Sequence, residues 1–220
     1  KIVRSSLSKM VLGISASGRS GQVTETAVRR VLESCGEETK FFSLAGLDIG
    51  GCRGCVLCAG DNRCKHDDDW LEVGEAMLEA EAIVFGAPAY YGMINALGHS
   101  TLERTYCFRH RERFLLAGKL GISVDVDRNT NERPVRDFIK TMMESNKMAF
   151  IGSVSGAGYS QCYDCGYGLD CAVGYFVRNH GYVDKLEPHH YPLRFEEQGC
   201  AAGEAEKAGK ILGSILRAKS

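Results

Sequence analysis

The sequence predicts a three-layer α/β domain built on a doubly wound, five-stranded parallel sheet. Three observations carry that expectation. Short β-type apolar runs alternate with segments whose apolar residues recur at helical spacing. Successive strands are separated by stretches long enough for a crossover helix, and right-handed crossovers build a parallel sheet covered on both faces. The 220 residues, 44% hydrophobic and 25% charged, supply one sizeable core, so residues 1–220 read as a single domain.

The elements follow in order. Residues 9–14 form a short strand that runs into a Ser/Gly-rich loop, and Ala27, Val28, Val31 and Leu32 mark a helix over 24–32. Residues 40–44 are a second strand. A helix over 67–80 begins with capping aspartates before Trp70, Leu71, Met77 and Leu78, and 82–85 is a buried strand. A helix over about 94–109, a strand over 120–126, a helix over 135–143 and a strand over 148–151 complete the alternation. Ala205, Ala208, Ile211, Leu212, Ile215 and Leu216 form one apolar stripe of a last helix that closes the remaining face. Residues 152–198 carry six of the nine tyrosines and three cysteines, with Pro188-His189-His190-Tyr191-Pro192, and read as a Cys/Tyr-rich insertion over the ligand edge of the sheet.

Composition excludes several functional classes. Lys+Arg 27 against Asp+Glu 28 gives a net charge of −1, without the basic footprint of a nucleic-acid binder or a polybasic membrane anchor. The most apolar stretch, 83–91, is broken by Gly86 and Pro88 and falls short of the roughly 18 residues that span a bilayer. Lys1, Arg4 and Lys9 precede an apolar run at 10–14 too short for a signal-peptide core, so a cytoplasmic protein is expected. The ten cysteines are the one excess, and their clustering in a chain with ample core points to metal rather than to a disulfide scaffold.

In open α/β sheets ligands sit at the carboxyl ends of the strands, so the loops there carry the chemistry. The first, Gly13 to Thr24, combines small residues, the hydroxyls of Ser15, Ser17, Ser20 and Thr24, one arginine (Arg19) and a helix N-terminus, which suits a phosphate monoester. It lacks the Gly-Lys-Ser/Thr ending of nucleoside-triphosphate loops and the G-x-G-x-x-G dinucleotide fingerprint. The second, Gly86 to Met93, sets a rigid Pro88 beside Tyr90, Tyr91 and Gly92 and can line a flat ring. A third loop, 50–66, packs Cys52-x2-Cys55-x2-Cys58-x5-Cys64 into thirteen residues. Closely spaced thiols in one loop wrap a cubane iron-sulfur cluster, whereas structural zinc joins two separate knuckles. By spacing alone, zinc and dithiol chemistry remain alternatives. The six histidines form no metalloprotease pair, and 152–156 lacks the spacing of a serine nucleophile elbow.

These three features, in this order, resemble the iron-sulfur flavoproteins, a branch of the flavodoxin-like, NADPH-dependent FMN reductase superfamily. The first loop is similar to the family's G-I-S-G-S-P-R-x-x-G-N-T phosphate loop, with Ser15, Ser17, Arg19 and Thr24 on matching positions; Gly18 stands where Pro is usual and Val23 where Asn is usual. Pro88, Ala89, Tyr90, Tyr91 and Gly92 match the G-x-P-x-Y-F-G loop that lies against the isoalloxazine. The cysteine spacing matches the compact cluster motif. The resemblance covers about 9–151 and the last helix. It stops at 127–132, where Asp127-Arg128-Asn129-Thr130-Asn131-Glu132 replaces a glycine-rich loop, so the far edge of the ring is contacted differently. Further on, Cys162-x2-Cys165-x5-Cys171 repeats the spacing of Cys55, Cys58 and Cys64, and offers three ligands of a second cluster with Cys107, Cys200 or a histidine as the fourth.

The resemblance implies a redox flavoprotein that binds FMN and a [4Fe-4S] cluster on Cys52, Cys55, Cys58 and Cys64. It further implies a homodimer or homotetramer, ferredoxin or NAD(P)H as electron donor, and a small-molecule or protein acceptor. Two other readings stand beside it: an NAD(P)H-dependent FMN or quinone reductase without a functional cluster, and a non-catalytic thiol or metal redox sensor.

Overall fold

The computed structural model describes residues 9–128 and 133–219. Five parallel strands lie in the order β2-β1-β3-β5-β6: β1 (Val11–Ser15), β2 (Thr39–Ser43), β3 (Ala82–Tyr90), β5 (Leu120–Asp127) and β6 (Ala149–Ala157). The two-residue β4 (Met93–Ile94) pairs antiparallel with the end of β3. Helices α2 (Trp70–Glu79), α3 (Ala96–Glu103) and α4 (Pro134–Ser145) cover one face, and α1 (Val23–Cys35) and α6 (Gly199–Ala218) the other. A short α5 (Tyr175–His180) lies in the segment between β6 and α6.

Strand alternation builds the two cores. In β1, Leu12 and Ile14 point into the layer with Trp70, Met77, Ile139 and Met143, while Val11 points into the layer with Val28, Val31, Leu212 and Leu216. Helices α1 and α6 pack at backbone distance. A Cβ on Gly213 would lie 1.9 Å from the Cys35 carbonyl oxygen, and one on Gly209 2.3 Å from that of Val31, so only glycine fits at either crossing point.

Four boundaries differ from the sequence reading, each for a local reason. Strand β3 runs to Tyr90 rather than Phe85, because the chain beyond Pro88 stays extended and returns as β4. The reversal places Tyr91 at φ +54 and Gly92 at φ +73, the left-handed pair of a tight hairpin turn. The helix expected over 94–109 is α-helical only to Glu103 and tightens into a 3-10 turn over Arg104–Phe108. Strand β6 runs to Ala157 rather than Ile151, so the segment over the ligand edge begins at 158, not 152. Its Ser/Gly-rich end is a strand because Val154 is buried against the α1/α6 layer and Ser155 Oγ donates to the buried Asp125 at 2.6 Å. Before α2, Asp68 Oδ1 accepts the Trp70 N–H at 3.2 Å while Asp69 caps nothing and accepts from Asp48 N–H at 2.7 Å.

Candidate functional site

A cleft of about 520 Å³ opens at the carboxyl ends of β1, β3, β5 and β6. The β1–α1 loop contributes Ser17, Arg19, Gln22, Val23 and Thr24, and the β3–β4 turn contributes Pro88, Ala89, Tyr90, Tyr91 and Gly92. Nine of the ten cofactor-binding residues read from the sequence therefore meet around one cavity. Ser15 does not: it is fully buried at the end of β1, its hydroxyl without a partner, one layer below the cleft.

The loop is held from behind. The Ala16 N–H donates to Gly86 O at 2.7 Å, and Asn95 Nδ2 donates to Ala16 O at 2.7 Å, tying the loop to β3 and to the start of α3. Ser17 Oγ accepts from the Arg19 N–H at 3.1 Å and donates to Arg19 O at 2.9 Å, closing a tight turn. Burial pushes the Glu25 carboxyl up, but the Gly21 N–H at 3.0 Å and Arg29 outweigh it and hold the group below the usual carboxylate range. Helix α1 begins at the cleft with Gln22 as an N-cap that makes no side-chain cap, so its first-turn N–H groups and dipole face the cavity.

Residues 158–161, at the start of the Cys/Tyr-rich insertion, furnish a further wall of the cleft. Tyr159 and Ser160 line the cleft, the Tyr159 hydroxyl donates to Gln22 Oε1, and the Arg19 guanidinium sits 5.3 Å from the Tyr159 ring centre. Arg19 Nη1 pairs with Asp164 at 2.5 Å, while its Nε is buried without a partner. On the far side Asp127 and Arg128 line the cavity, and Arg128 lies 4.2 Å from the Tyr175 ring centre. The rest of the 127–132 loop, residues 129–132, lies outside the described residues. Asp164, Tyr159 and Gln22 join the site beyond the residues that the sequence marks. The concentration of tyrosines was the available signal, and the pairing of Asp164 with Arg19 across 145 positions left none.

A cavity with hydroxyls, helix-end N–H groups and an unpartnered arginine nitrogen at one end, and a proline–tyrosine turn at the other, fits a phosphate monoester joined to a flat ring. Tyr91 stands fully exposed at that turn.

The second site follows β2. Cys52, Cys55, Cys58 and Cys64 line one small pocket of about 50 Å³ together with Arg104 and Cys107. The loop is anchored at Cys52, whose N–H donates to Glu103 Oε2 at 2.9 Å, and at Cys58, whose Sγ lies 3.0 Å from His110 Nε2. Burial raises the Cys58 thiol above its ordinary value, and the charges of Cys64, Cys52 and Cys55 raise it further. Cys107 is pushed up to about 12, by burial first and then by Cys64 and Cys58. Burial works against the Arg104 cation, but Asp68 and Cys64 outweigh it and raise its pKa. Among the described residues no three His, Cys, Asp or Glu side chains stand together closely enough to hold a metal ion. Four thiols set round a pocket are the donor set of a four-iron cubane, whose ligands bind separate irons, and the residues fit that group.

One continuous stretch serves both sites. Pro88 to Gly92 bound the cleft, α3 follows, and Glu103, Arg104 and Cys107 reach the cysteine pocket. The second cysteine set is placed apart from the first. Cys162 lies within the 3-10 turn Gln161–Tyr163 beside the cleft, Cys165 just after it, and Cys171 just before α5. Cys107 lines the first pocket, and Cys200 lies on α6 with its Sγ 3.9 Å from Glu204.

Residues 10–160 match the sequence profile of the NADPH-dependent FMN reductase family. Over 153 residues, 67% of this chain and 80% of the relative, the sequence is 31% identical to an iron-sulfur flavoprotein of Methanosarcina thermophila. Over 147 residues, 64% and 75% of the two chains, it is 31% identical to an iron-sulfur flavoprotein of Methanocaldococcus jannaschii. The fold is similar to that of a WrbA-like flavodoxin from Agrobacterium tumefaciens, with a TM-score of 0.55 at 10% identity over 97% of this chain and 100% of that one. No helix among the described residues is long and apolar enough to cross a membrane. The chain belongs to the NADPH-dependent FMN reductase family, in its iron-sulfur flavoprotein branch, and is a flavoprotein oxidoreductase.

Proposed function

We propose that the chain holds FMN in the cleft over β1, β3, β5 and β6 and a [4Fe-4S] cluster on Cys52, Cys55, Cys58 and Cys64, and passes electrons between them. The observation that carries the reading is the gathering of all four thiols around one pocket with a buried cation, on the same stretch of chain that bounds the cleft. The names of the Methanosarcina and Methanocaldococcus relatives support it. FMN exchanges two electrons and a cluster one at a time, so the pair converts between the two kinds of traffic.

The chain's own residues bind and orient. Ser17, Thr24 and the first turn of α1 receive the phosphate, with Arg19 as its charged partner. Tyr90, Tyr91 and Pro88 form the platform for the ring. Val23 replaces a polar side chain with a methyl pair, and the hydroxyl of Tyr159, bonded to Gln22, supplies polarity at that wall. No side chain in the cleft is required as general acid or base. NAD(P)H or ferredoxin serves as donor, a small molecule or protein as acceptor, and the working form is a homodimer or homotetramer.

The test is anaerobic purification followed by iron, sulfide, zinc and flavin analysis per chain. About four irons with one FMN are expected from a cubane held by four cysteines. Zinc or no metal with flavin bound leaves a simple NAD(P)H-dependent FMN or quinone reductase. Metal-free protein without flavin leaves a thiol redox sensor.

A further inference from the structure

We propose that Arg104 is a positioning residue that sets the reduction potential of the cluster on Cys52, Cys55, Cys58 and Cys64, through one N–H that the protein leaves free for sulfur. The proposal rests on the cluster reading above.

A guanidinium has five N–H donors and no acceptor. Arg104 is 2% exposed, and four of its donors are engaged. Nη1 donates to Gly50 O at 3.0 Å and Asp68 Oδ2 at 2.7 Å and lies 3.3 Å from His66 Nδ1; Nη2 donates to His66 O at 3.3 Å and Asp68 Oδ1 at 3.1 Å. These acceptors lie on both flanks of the cysteine loop, so the side chain ties its entry to its exit. The Trp70 ring, with its centre 4.8 Å away, covers the guanidinium. The fifth donor, Nε, is buried and has no partner, in a residue that lines the four-thiol pocket.

A buried donor left unmade forfeits its hydration with nothing in return, and a charged one forfeits most, so the arrangement is economical only with an acceptor in the pocket. The acceptors such a pocket supplies are sulfurs, those of the cysteine ligands or of the cluster. An N–H···S bond favours the more negatively charged, reduced state, which raises the potential. Asp68 cancels the net charge of the guanidinium at short range, so the directed N–H, and not bulk positive charge, distinguishes the oxidation states. The chain supplies no electron in this role: the cluster gains one from its donor and loses one to its acceptor with Arg104 protonated throughout.

The experiment is an anaerobic redox titration of the holoprotein and of Arg104→Lys, with Asp68→Asn as a control that breaks the same clamp but keeps Nε. Iron per chain is measured on every sample. With iron retained, Arg104→Lys is expected to shift the reduction equilibrium at least about tenfold toward the oxidised state, about 59 mV for a one-electron couple. Asp68→Asn should leave the potential unchanged or move it the other way. An unchanged potential in iron-replete Arg104→Lys overturns the proposal, as does an equal shift of the same sign in both variants. Where Arg104→Lys does not fold, pulsed EPR of the reduced protein carrying 15N-arginine replaces it, in an Arg53→Lys background because Arg53 also lines the cysteine pocket. A coupled arginine nitrogen is expected, and its absence overturns the proposal. Wild-type protein without iron removes the cluster reading itself, whereas iron with an insensitive potential removes only this assignment.

Discussion

Arg19 is the residue on which phosphate recognition can be tested most directly, because the structure shows it with a competing partner. Its Nη1 is paired with Asp164 while side-chain exposures of 33% and 47% keep that pair in contact with solvent. A pair so exposed is worth about 0.2–1 kcal/mol after screening. A charge-assisted bond from Arg19 to a phosphate oxygen is worth about 1.5–3 kcal/mol. Arg19→Ala should therefore weaken FMN binding by about 10- to 150-fold. Asp164→Asn should tighten it by up to about fivefold, since a competing acceptor and a negative charge near the phosphate are both removed. The assay is quenching of FMN fluorescence on apoprotein at pH 7, repeated with riboflavin, which has the same ring and no phosphate. Riboflavin affinity should be the same in all three proteins. A loss of riboflavin affinity in Arg19→Ala as large as the loss for FMN would refute the phosphate assignment. In the double variant the part of the gain that comes from freeing the arginine should vanish, leaving only what removal of the Asp164 charge contributes.

Three further expectations follow from geometry and charge. Cys55→Ser should lose the visible absorbance of the cluster and keep FMN, whereas stoichiometric iron in that variant would contradict the ligand set. Gly213→Ala places a methyl 1.9 Å from the Cys35 carbonyl oxygen; the strain exceeds the gain in helix propensity, and a net loss of about 2 kcal/mol in urea unfolding is expected, while Gly203→Ala on the same helix, with open space around it, should gain about 0.5–1 kcal/mol. The Asp125 pKa is raised, by burial first, with the Ser155 hydroxyl opposing, and Oδ1 has no partner. A carboxyl with a raised folded pKa costs stability as pH climbs through the usual carboxylate range and beyond. Asp125→Asn should therefore raise the urea midpoint at pH 7, and the difference should fade below about pH 4, the ordinary aspartate range.

The layer order was legible because it depends on period and punctuation. Val11 and Leu12 diverge to opposite faces as strand alternation requires, and Ala205, Ala208, Leu212, Ile215 and Leu216 lie on the α1 side of the sheet, while Ile211, read into the same stripe, is exposed. That the β1–α1 loop and the β3–β4 turn bound one cavity was legible because their residues are close in sequence and sit at the strand ends. What escaped were extensions that local signals oppose. Gly152 to Gly156 carries turn-type composition yet continues β6, since Ser155 finds its partner thirty positions away in Asp125. Arg104 likewise gives no sign in the sequence of its bonds to Gly50, His66 and Asp68, because each acceptor is fixed by a loop whose path only the folded chain defines. The same holds for Asp164, whose partner Arg19 lies 145 positions away in the chain.

The glycine crossing between α1 and α6 carries a consequence for how the protein is made. Helix α6 is translated after every other described element, yet it covers the face on which Val11, Val84, Val124 and Val154 lie. Until residues 199–218 leave the ribosome, that apolar face has only α1 to shelter it, and α1 itself lacks the partner that meets it at backbone distance. The turn proposed to receive the phosphate leads into the N-terminal end of α1, so its final geometry depends on the last segment to emerge. A nascent chain halted before α6 should expose sticky sheet surface to chaperones and to other chains. Cofactor capture then becomes a late event in biogenesis, following docking of the final helix rather than assembly of the first strand.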